Sequence, residues 1–106
     1  MKIRYLAVMT AALTISTTSL AAGSGEAVFK QSNCNGCHAI DRKSVGPALK
    51  DVAAKYAGDK DAQAKLEKKT RNGGSGTFGV MPMPVTPKTV SDADIKTMVS
   101  WILSLK

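Results

Sequence analysis

The sequence contains few of the residues that build metal clusters or disulfide scaffolds, with two cysteines and one histidine among 106 residues. These three side chains are too few for a four-coordinate zinc site of cysteine and histidine, or for a scaffold of several disulfides. The sequence also lacks the alternating apolar and polar residues of β-strands, and it has no internal repeat. We therefore expect one globular, helical domain, since 106 residues are too few for a second one.

A long apolar run is absent as well, which argues against a membrane span of about 20 residues. The longest run covers residues 5–15 and is interrupted by Thr10 and Thr14. It follows Lys2 and Arg4 and precedes a stretch of small residues. This order of cationic, apolar and small residues is typical of a secretory signal peptide.

The predicted signal peptide occupies residues 1–22, with cleavage after Ala21 or Ala22. The mature domain, residues 23–106, is then expected in the periplasm without a stable membrane anchor. A domain of this size lies just above the roughly 70–80 residues below which an apolar core alone rarely stabilises a fold. We therefore expect a staple or a large buried prosthetic group.

Acidic residues are scarce: eight Asp and Glu stand against fifteen Lys and Arg, for a net charge of +7. This excess of positive charge favours an acidic partner, nucleic acid or an anionic membrane. Nucleic acid is not expected, because aromatic and basic residues are not interleaved along the chain.

Short helical patterns run through the mature domain. Ser24 is a candidate N-cap of the first helix, which ends near Asn33 and Gly36. The second helix closes at Gly58. Its apolar positions follow helical spacing: Leu49, Val52, Ala53 and Tyr56.

Two further helices are predicted. The third has Asp59 or Asp61 as its cap and ends near Asn72, before Gly73-Gly74. One of its faces carries Ala62, Leu66 and Thr70. The last helix has Ser91 as its N-cap, with an acidic residue three positions on. Its apolar face comprises Ile95, Met98, Val99, Ile102 and either Leu105 or Trp101.

Residues 73–87, between the last two predicted helices, are too rich in glycine and proline for regular structure. A loop of this length in a small domain usually carries function. We therefore expect this segment to contribute to the functional site.

The chemistry of the chain is concentrated in Cys34-Asn35-Gly36-Cys37-His38, the C-x-x-C-H pattern of covalent haem attachment. Two intervening residues let both thiols reach the vinyl groups on one porphyrin edge. The adjacent imidazole then lies under the iron. Cys34 and Cys37 are thus predicted to form thioethers, and His38 is the predicted proximal iron ligand.

Three other roles for this motif are weaker. A thioredoxin-like redox pair belongs with βαβ patterns, which this sequence lacks. A disulfide from Cys34 to Cys37 would close a very small loop and leave His38 unexplained. A zinc site would lack its fourth ligand.

The sixth iron ligand separates an electron carrier from a protein that binds gases or activates oxygen. With no second histidine, a methionine thioether is the candidate. Met98 lies on the apolar face of the last helix and is interpreted as core. Met1 and Met9 fall in the signal peptide, which leaves Met81 and Met83. We favour Met83, because Pro82 and Pro84 stiffen the backbone around it.

Across the mature segment the chain resembles the small bacterial class I cytochromes c of the c-551 and c-552 type. The matching stretches are Cys34 to His38, Val45 to Ala48, Asp51 to Ala57, Asn72 to Gly79, Pro82 to Pro84, Val90 to Asp92 and Trp101 to Ser104. The resemblance implies an all-α fold of four to five short helices wrapped around one haem. It further implies that the terminal helices cross, with Phe29 against Trp101.

The resemblance also implies residue roles. Met83 is the expected distal ligand, and the Pro47 carbonyl is expected to accept a hydrogen bond from His38, which orients the imidazole. The implied function is a soluble one-electron carrier, not an enzyme, and a monomer. The rival interpretation is a haem sensor with a labile methionine ligand.

The implied partners are redox proteins with acidic docking patches: a bc-type complex as donor and a terminal oxidase, nitrite reductase or peroxidase as acceptor. Seven lysines are candidates for this docking: Lys43, Lys50, Lys55, Lys60, Lys65, Lys68 and Lys88.

Two features depart from the family pattern. Phe78 stands where several relatives have a tryptophan whose N–H binds a haem propionate, so Lys69 or Arg71 is expected to supply a partner instead. The stretch 85–89 is longer than in some relatives, so hydrogen bonding near the methionine sulfur is expected to differ.

Overall fold

The computed structural model describes residues 11–12 and 21–106. Apart from residues 11–12 and 21–22, the predicted signal peptide lies outside the described residues, as do Met1 and Met9. The described part contains four α-helices: α1 Ala21–Gln31, α2 Leu49–Lys55, α3 Ala62–Asn72 and α4 Asp92–Leu103. A short 3₁₀ turn, Cys34–Gly36, follows α1. The predicted all-α class is confirmed.

The first helix begins earlier than predicted. Residues Ala21–Gln31 are helical, so Ser24 lies inside α1, and the prediction that Ser24 is its N-cap is wrong. Alanine has the highest helix propensity, so Ala21 and Ala22 extend the helix beyond the expected start. The predicted end is confirmed, because Asn33 adopts a left-handed φ of 60° two residues after the last helical residue.

Helices α2 and α3 end near the predicted glycines, Gly58 and Gly73, both with positive φ. Asp61 occupies the cap position of α3, but its side chain makes no capping hydrogen bond. Instead, the Asp59 carboxylate accepts the Asp61 backbone N–H at 2.9 Å and a hydrogen bond from Lys65 at 2.7 Å. The bond from Lys65 lowers the pKa of Asp59, so this carboxylate stays ionised as part of the turn that leads into α3.

Helix α4 forms the centre of the core and contacts each of the other three helices. Its buried residues are Ile95, Met98, Val99 and Ile102, as predicted, and Val99 has no exposed surface. Leu66 of α3 and Leu49 and Val52 of α2 pack in the same cluster. Met98 is therefore a core residue, as expected.

The terminal helices cross where α1 carries a glycine. A Cβ added to Gly25 would overlap the Trp101 Cβ and lie 2.9 Å from the Thr97 carbonyl oxygen. One turn further on, the rings of Phe29 and Trp101 pack with their centroids 5.6 Å apart and tilted by 45°. The predicted crossing of the terminal helices is confirmed, and the missing Cβ of Gly25 allows their close approach.

Ser91 caps α4, as predicted: its side-chain oxygen accepts the Asp94 backbone N–H at 3.1 Å. Replacing Ser91 with alanine should lower the free energy of unfolding by about 1 kcal/mol, because that N–H loses its acceptor. Denaturant unfolding of the haem-loaded protein would measure the change. Ser100→Ala is the control, since Ser100 is exposed and only donates to Gln63. A loss in Ser91→Ala no larger than in this control would contradict the capping role.

Within the described residues, none of the helices combines the length and apolar character needed to cross a membrane.

Candidate functional site

The C-x-x-C-H motif folds into a tight turn that brings its three chemical side chains to one cleft. The backbone N–H groups of Cys37 and His38 both donate to the Cys34 carbonyl, at 3.2 and 3.0 Å. Cys34 and Cys37 are not joined in a disulfide, and both line the cleft together with His38. The sequence prediction that these three residues act together is therefore supported by their positions.

The His38 ring is held in one orientation. Its Nδ1 lies 2.8 Å from the Pro47 carbonyl oxygen, as the resemblance implied. Because a carbonyl only accepts, Nδ1 donates this hydrogen bond, which leaves Nε2 as the ring nitrogen available to a metal. A hydrogen bond to Nδ1 also makes the imidazole a more strongly donating ligand.

Gly46 packs against the flat side of the same ring. A Cβ at this position would lie 2.5 Å from Cε1 and 2.9 Å from Nδ1 of His38. The Gly46 N–H donates to the Cys37 carbonyl at 2.7 Å. This hydrogen bond joins the backbone segment that contains Pro47 directly to the C-x-x-C-H motif. Sequence reasoning missed this role, and the only available signal was a glycine directly before the proline.

The cleft has a volume of about 320 Å³ and reaches into the core. Its apolar floor is formed by residues from all four helices: Phe29, Leu49, Val52, Leu66, Met98, Val99 and Ile102. The charged residues on its lining, Lys43, Asp51 and Lys69, have exposed or half-buried side chains. An apolar group with a polar edge fits this lining, and two cysteines beside an oriented imidazole are the side chains that haem c requires.

Cys34 is half-buried at the edge of the cleft. Burial raises the pKa of its thiol, with the neighbouring Cys37 as a smaller contribution in the same direction. The unmodified Cys34 therefore stays protonated at neutral pH.

Met83 lies on the same cleft as His38, in the loop between α3 and α4. Its backbone forms an isolated antiparallel bridge with Gly74: each residue's N–H donates to the other's carbonyl at 2.9 Å. Met81 also lines the cleft but is 67% exposed, whereas Met83 is half-buried. The structure thus brings Met83 together with His38, Cys34 and Cys37.

Gly73 permits the close approach of the Met83 segment. It has a φ of 67° and a ψ of −153°, a conformation that is essentially restricted to glycine. A Cβ here would overlap the Met83 carbonyl oxygen and lie 2.9 Å from the carbonyl carbon of Pro84. Gly73 and Gly74 were predicted to end a helix and to belong to a functional loop, but the contact of Gly73 with the Met83 segment was missed.

The two candidate partners for the haem propionate, Lys69 and Arg71, lie in different surroundings. Lys69 lines the cleft. Arg71 does not: its guanidinium donates to the backbone carbonyls of Thr86, Pro87 and Val90 and to the Asp92 carboxylate. The hypothesis that Arg71 binds a propionate is therefore wrong, because its donors are directed to the other end of the loop.

Comparison with known proteins agrees with this site. A family model described as cytochrome c matches residues 22–106. Cytochrome c-551 of Pseudomonas aeruginosa is 51% identical over 81 residues, which cover 76% of each chain. Cytochrome c-552 of Hydrogenobacter thermophilus is also 51% identical over 81 residues, covering 76% of this chain and 81% of the relative.

A solved structure shows the same fold. The crystal structure of wild-type Nitrosomonas europaea cytochrome c552 matches with a TM-score of 0.73 and 49% identity, covering 76% of this chain and 99% of that one. The family match, these identities and the cleft lined by the C-x-x-C-H side chains lead to one conclusion: this chain belongs to the cytochrome c family and is a small electron carrier whose cofactor is covalently bound haem c with its iron.

Proposed function

We propose that this protein is a periplasmic one-electron carrier whose haem iron is held between His38 and Met83. Cys34 and Cys37 would form the two thioether bonds. The observation that carries the proposal is that His38, whose imidazole bonds to the Pro47 carbonyl, and Met83, whose backbone pairs with Gly74, both line one apolar cleft. When bound, the haem supplies the one-electron change; the chain's own residues hold its position and surroundings.

The two ligands would be held by different contacts. His38 is oriented by the Pro47 carbonyl and confined by Gly46. Met83 is confined by its bridge to Gly74. With His38 and Met83 both bound to the iron, small molecules would have no free site on it, which would favour electron transfer over ligand binding.

The apolar residues of the cleft would also affect the reduction potential of the haem iron. Leu49, Val52 and Val99 exclude water from the floor of the cleft. A dry environment and a thioether ligand both favour the reduced form of the iron, so a high reduction potential is expected.

The rim of the cleft is the proposed docking surface for redox partners. Val45, Phe78 and Met81 line the cleft and are exposed. Lysines outnumber carboxylates here: Lys43 and Lys69 line the cleft and the Lys55 ammonium lies 5.5 Å from the Phe78 ring centroid, against the exposed carboxylate of Asp51. An acidic partner would be oriented by these charges and make contact through the apolar residues.

Two other lysines, the docking candidate Lys65 and the propionate candidate Lys69, differ in their surroundings. Lys65 already pairs with Asp59 at 2.7 Å, which reduces its contribution to docking. Lys69 is the proposed partner of a haem propionate, in place of the tryptophan that Phe78 replaces.

Export by the predicted signal peptide would place this carrier in the periplasm, where a bc-type complex and a terminal oxidase or reductase are its proposed partners.

Absorption spectra of the oxidised and reduced protein test the ligand set. Met83→Ala should abolish the sulfur-to-iron charge-transfer band, because the thioether is lost, and should let carbon monoxide bind the ferrous iron rapidly. Met81→Ala is the matched control and should retain the band, since Met81 is largely exposed.

Three outcomes would contradict the proposal. Retention of the band in Met83→Ala with its loss in Met81→Ala would transfer the ligand role to Met81. Rapid, stoichiometric carbon monoxide binding by the unaltered protein would favour the haem sensor. A mass equal to that of the polypeptide alone, after expression with haem-attachment machinery, would exclude the thioethers.

A further inference from the structure

Arg71 makes four hydrogen bonds to the segment that follows Met83. Its guanidinium donates to the carbonyls of Thr86 at 3.3 Å, Pro87 at 3.1 Å and Val90 at 2.7 Å. It also donates to the Asp92 carboxylate at 2.8 Å. These acceptors lie 15 to 21 residues along the chain from Arg71. One side chain at the end of α3 thus contacts residues 86–92, the segment that leads from the loop into α4.

A buried hydroxyl supports the same attachment. The Thr86 hydroxyl donates to the Thr70 carbonyl at 2.6 Å, and both threonines are buried. Thr70 and Arg71 are neighbours, so the last turn of α3 holds Thr86 from two directions. Thr86 is three residues after Met83.

Met83 is consequently fixed at both ends of its short segment. On one side its own backbone pairs with Gly74. On the other side Pro84 and Val85 connect it to the Thr86 anchor, and both are exposed. Without the Arg71 contacts, the hydrogen bond from the Thr86 hydroxyl to the Thr70 carbonyl and the bridge to Gly74 are the hydrogen bonds that still hold residues 83–86.

We propose that Arg71 is a positioning residue for Met83, and that it controls how readily the methionine leaves the iron. This inference rests on the proposed ligation by Met83. An arginine suits the task because its planar group carries five N–H donors that can reach several carbonyls at once. A lysine ammonium is a compact charge with three donors and cannot span the same set.

The contacts to backbone carbonyls, more than the ion pair, are expected to carry this effect. Arg71 is only 23% exposed, whereas the Asp92 side chain is 96% exposed. An ion pair with a fully hydrated carboxylate contributes little. Three carbonyls, by contrast, lose a charged donor together when the guanidinium is removed.

Azide binding to the ferric haem protein at pH 7 tests the inference, because azide reaches the iron only when Met83 has left. The apparent affinity therefore rises in proportion to the population of the open state. We expect Arg71→Ala to raise azide affinity about tenfold, Arg71→Lys to give an intermediate increase, and Asp92→Asn to change it less than about twofold.

Gln63→Ala is the matched control. Gln63 is also on α3, donates to the Lys96 carbonyl and accepts from Ser100, but makes no hydrogen bond to the loop. This variant should lose stability without a change in azide affinity. An equal rise in azide affinity in Gln63→Ala and Arg71→Ala would reduce Arg71 to a general stabilising residue and overturn the proposal.

Amide hydrogen exchange gives a readout that is independent of iron ligation. The N–H groups of Met83 and Gly74 are paired with each other, so both should exchange about tenfold faster in Arg71→Ala. Unchanged exchange at Met83 overturns the positioning role whatever the iron ligand is. Tight azide binding by the unaltered protein would instead overturn ligation by Met83, and the exchange rates would then decide the role of Arg71 separately.

Discussion

Replacing Gly46 with alanine is expected to displace the imidazole of His38 and to destabilise the haem-loaded protein by about 3 kcal/mol. The added Cβ would lie 2.5 Å from Cε1 and 3.0 Å from Nε2, so the ring must move. Overpacking of this kind costs about 1–3 kcal/mol. The hydrogen bond from Nδ1 to Pro47 would also be lengthened or lost, which adds about 1 kcal/mol.

The same change should raise the reduction potential, because an imidazole without its carbonyl partner donates less electron density to the iron. Denaturant unfolding and a potentiometric titration measure the two effects. Gly36→Ala is the control, since Gly36 lies inside the attachment motif but a Cβ there meets nothing within 4 Å. If both variants behaved alike, the contact between Gly46 and His38 would have no energetic role.

Replacing Gly73 with alanine is expected to release Met83 from the iron in a large fraction of the molecules. The backbone conformation at Gly73 costs other residues about 1–3 kcal/mol. The Cβ would in addition overlap the Met83 carbonyl oxygen, the acceptor of the Gly74 N–H. The bridge that holds Met83 must therefore open or shift. We expect a total destabilisation of about 3 kcal/mol or more and a weakened charge-transfer band.

Gly76→Ala distinguishes the two causes, which are backbone strain and the overlap of the added Cβ with the Met83 segment. Gly76 also has a positive φ, of 109°, but a Cβ there meets nothing within 4 Å. It should therefore show the backbone strain without the loss of the thioether band. A full-strength band in Gly73→Ala would mean that the close approach of Met83 to Gly73 is not needed for ligation.

The helices were largely predictable because their signals are local. The spacing of Ile95, Met98, Val99 and Ile102 identified the buried face of α4, and Ser91 was correctly predicted as its cap. The error at Ser24 came from a competing local signal, since the alanines before it are strong helix formers.

The cysteine and histidine residues of the candidate site were easier to predict from the sequence than the position of the methionine. Cys34, Cys37 and His38 are contiguous, so one turn suffices to bring them together. Met83 could be favoured over Met81 through its flanking prolines and through family resemblance, but its position beside Gly74 depends on a pairing across the loop. No local pattern reports the partner of a loop residue.

The role of Arg71 shows the same limit. As a basic residue near the end of a helix it was a reasonable candidate for a propionate, and so was Lys69. Arg71 nevertheless contacts the segment that leads from the loop into α4, whereas Lys69 lines the cleft. Which acceptors a long side chain reaches depends on the path of a distant segment.

The amino-acid sequence by itself determined the attachment chemistry, the helical class and the apolar face of α4, because each depends on residues within a few positions of one another. Only the tertiary structure decided which glycines were indispensable and which cation held the loop. Gly25, Gly46 and Gly73 matter because another segment occupies the space of their missing Cβ atoms. That space is defined only when the chain has folded back on itself.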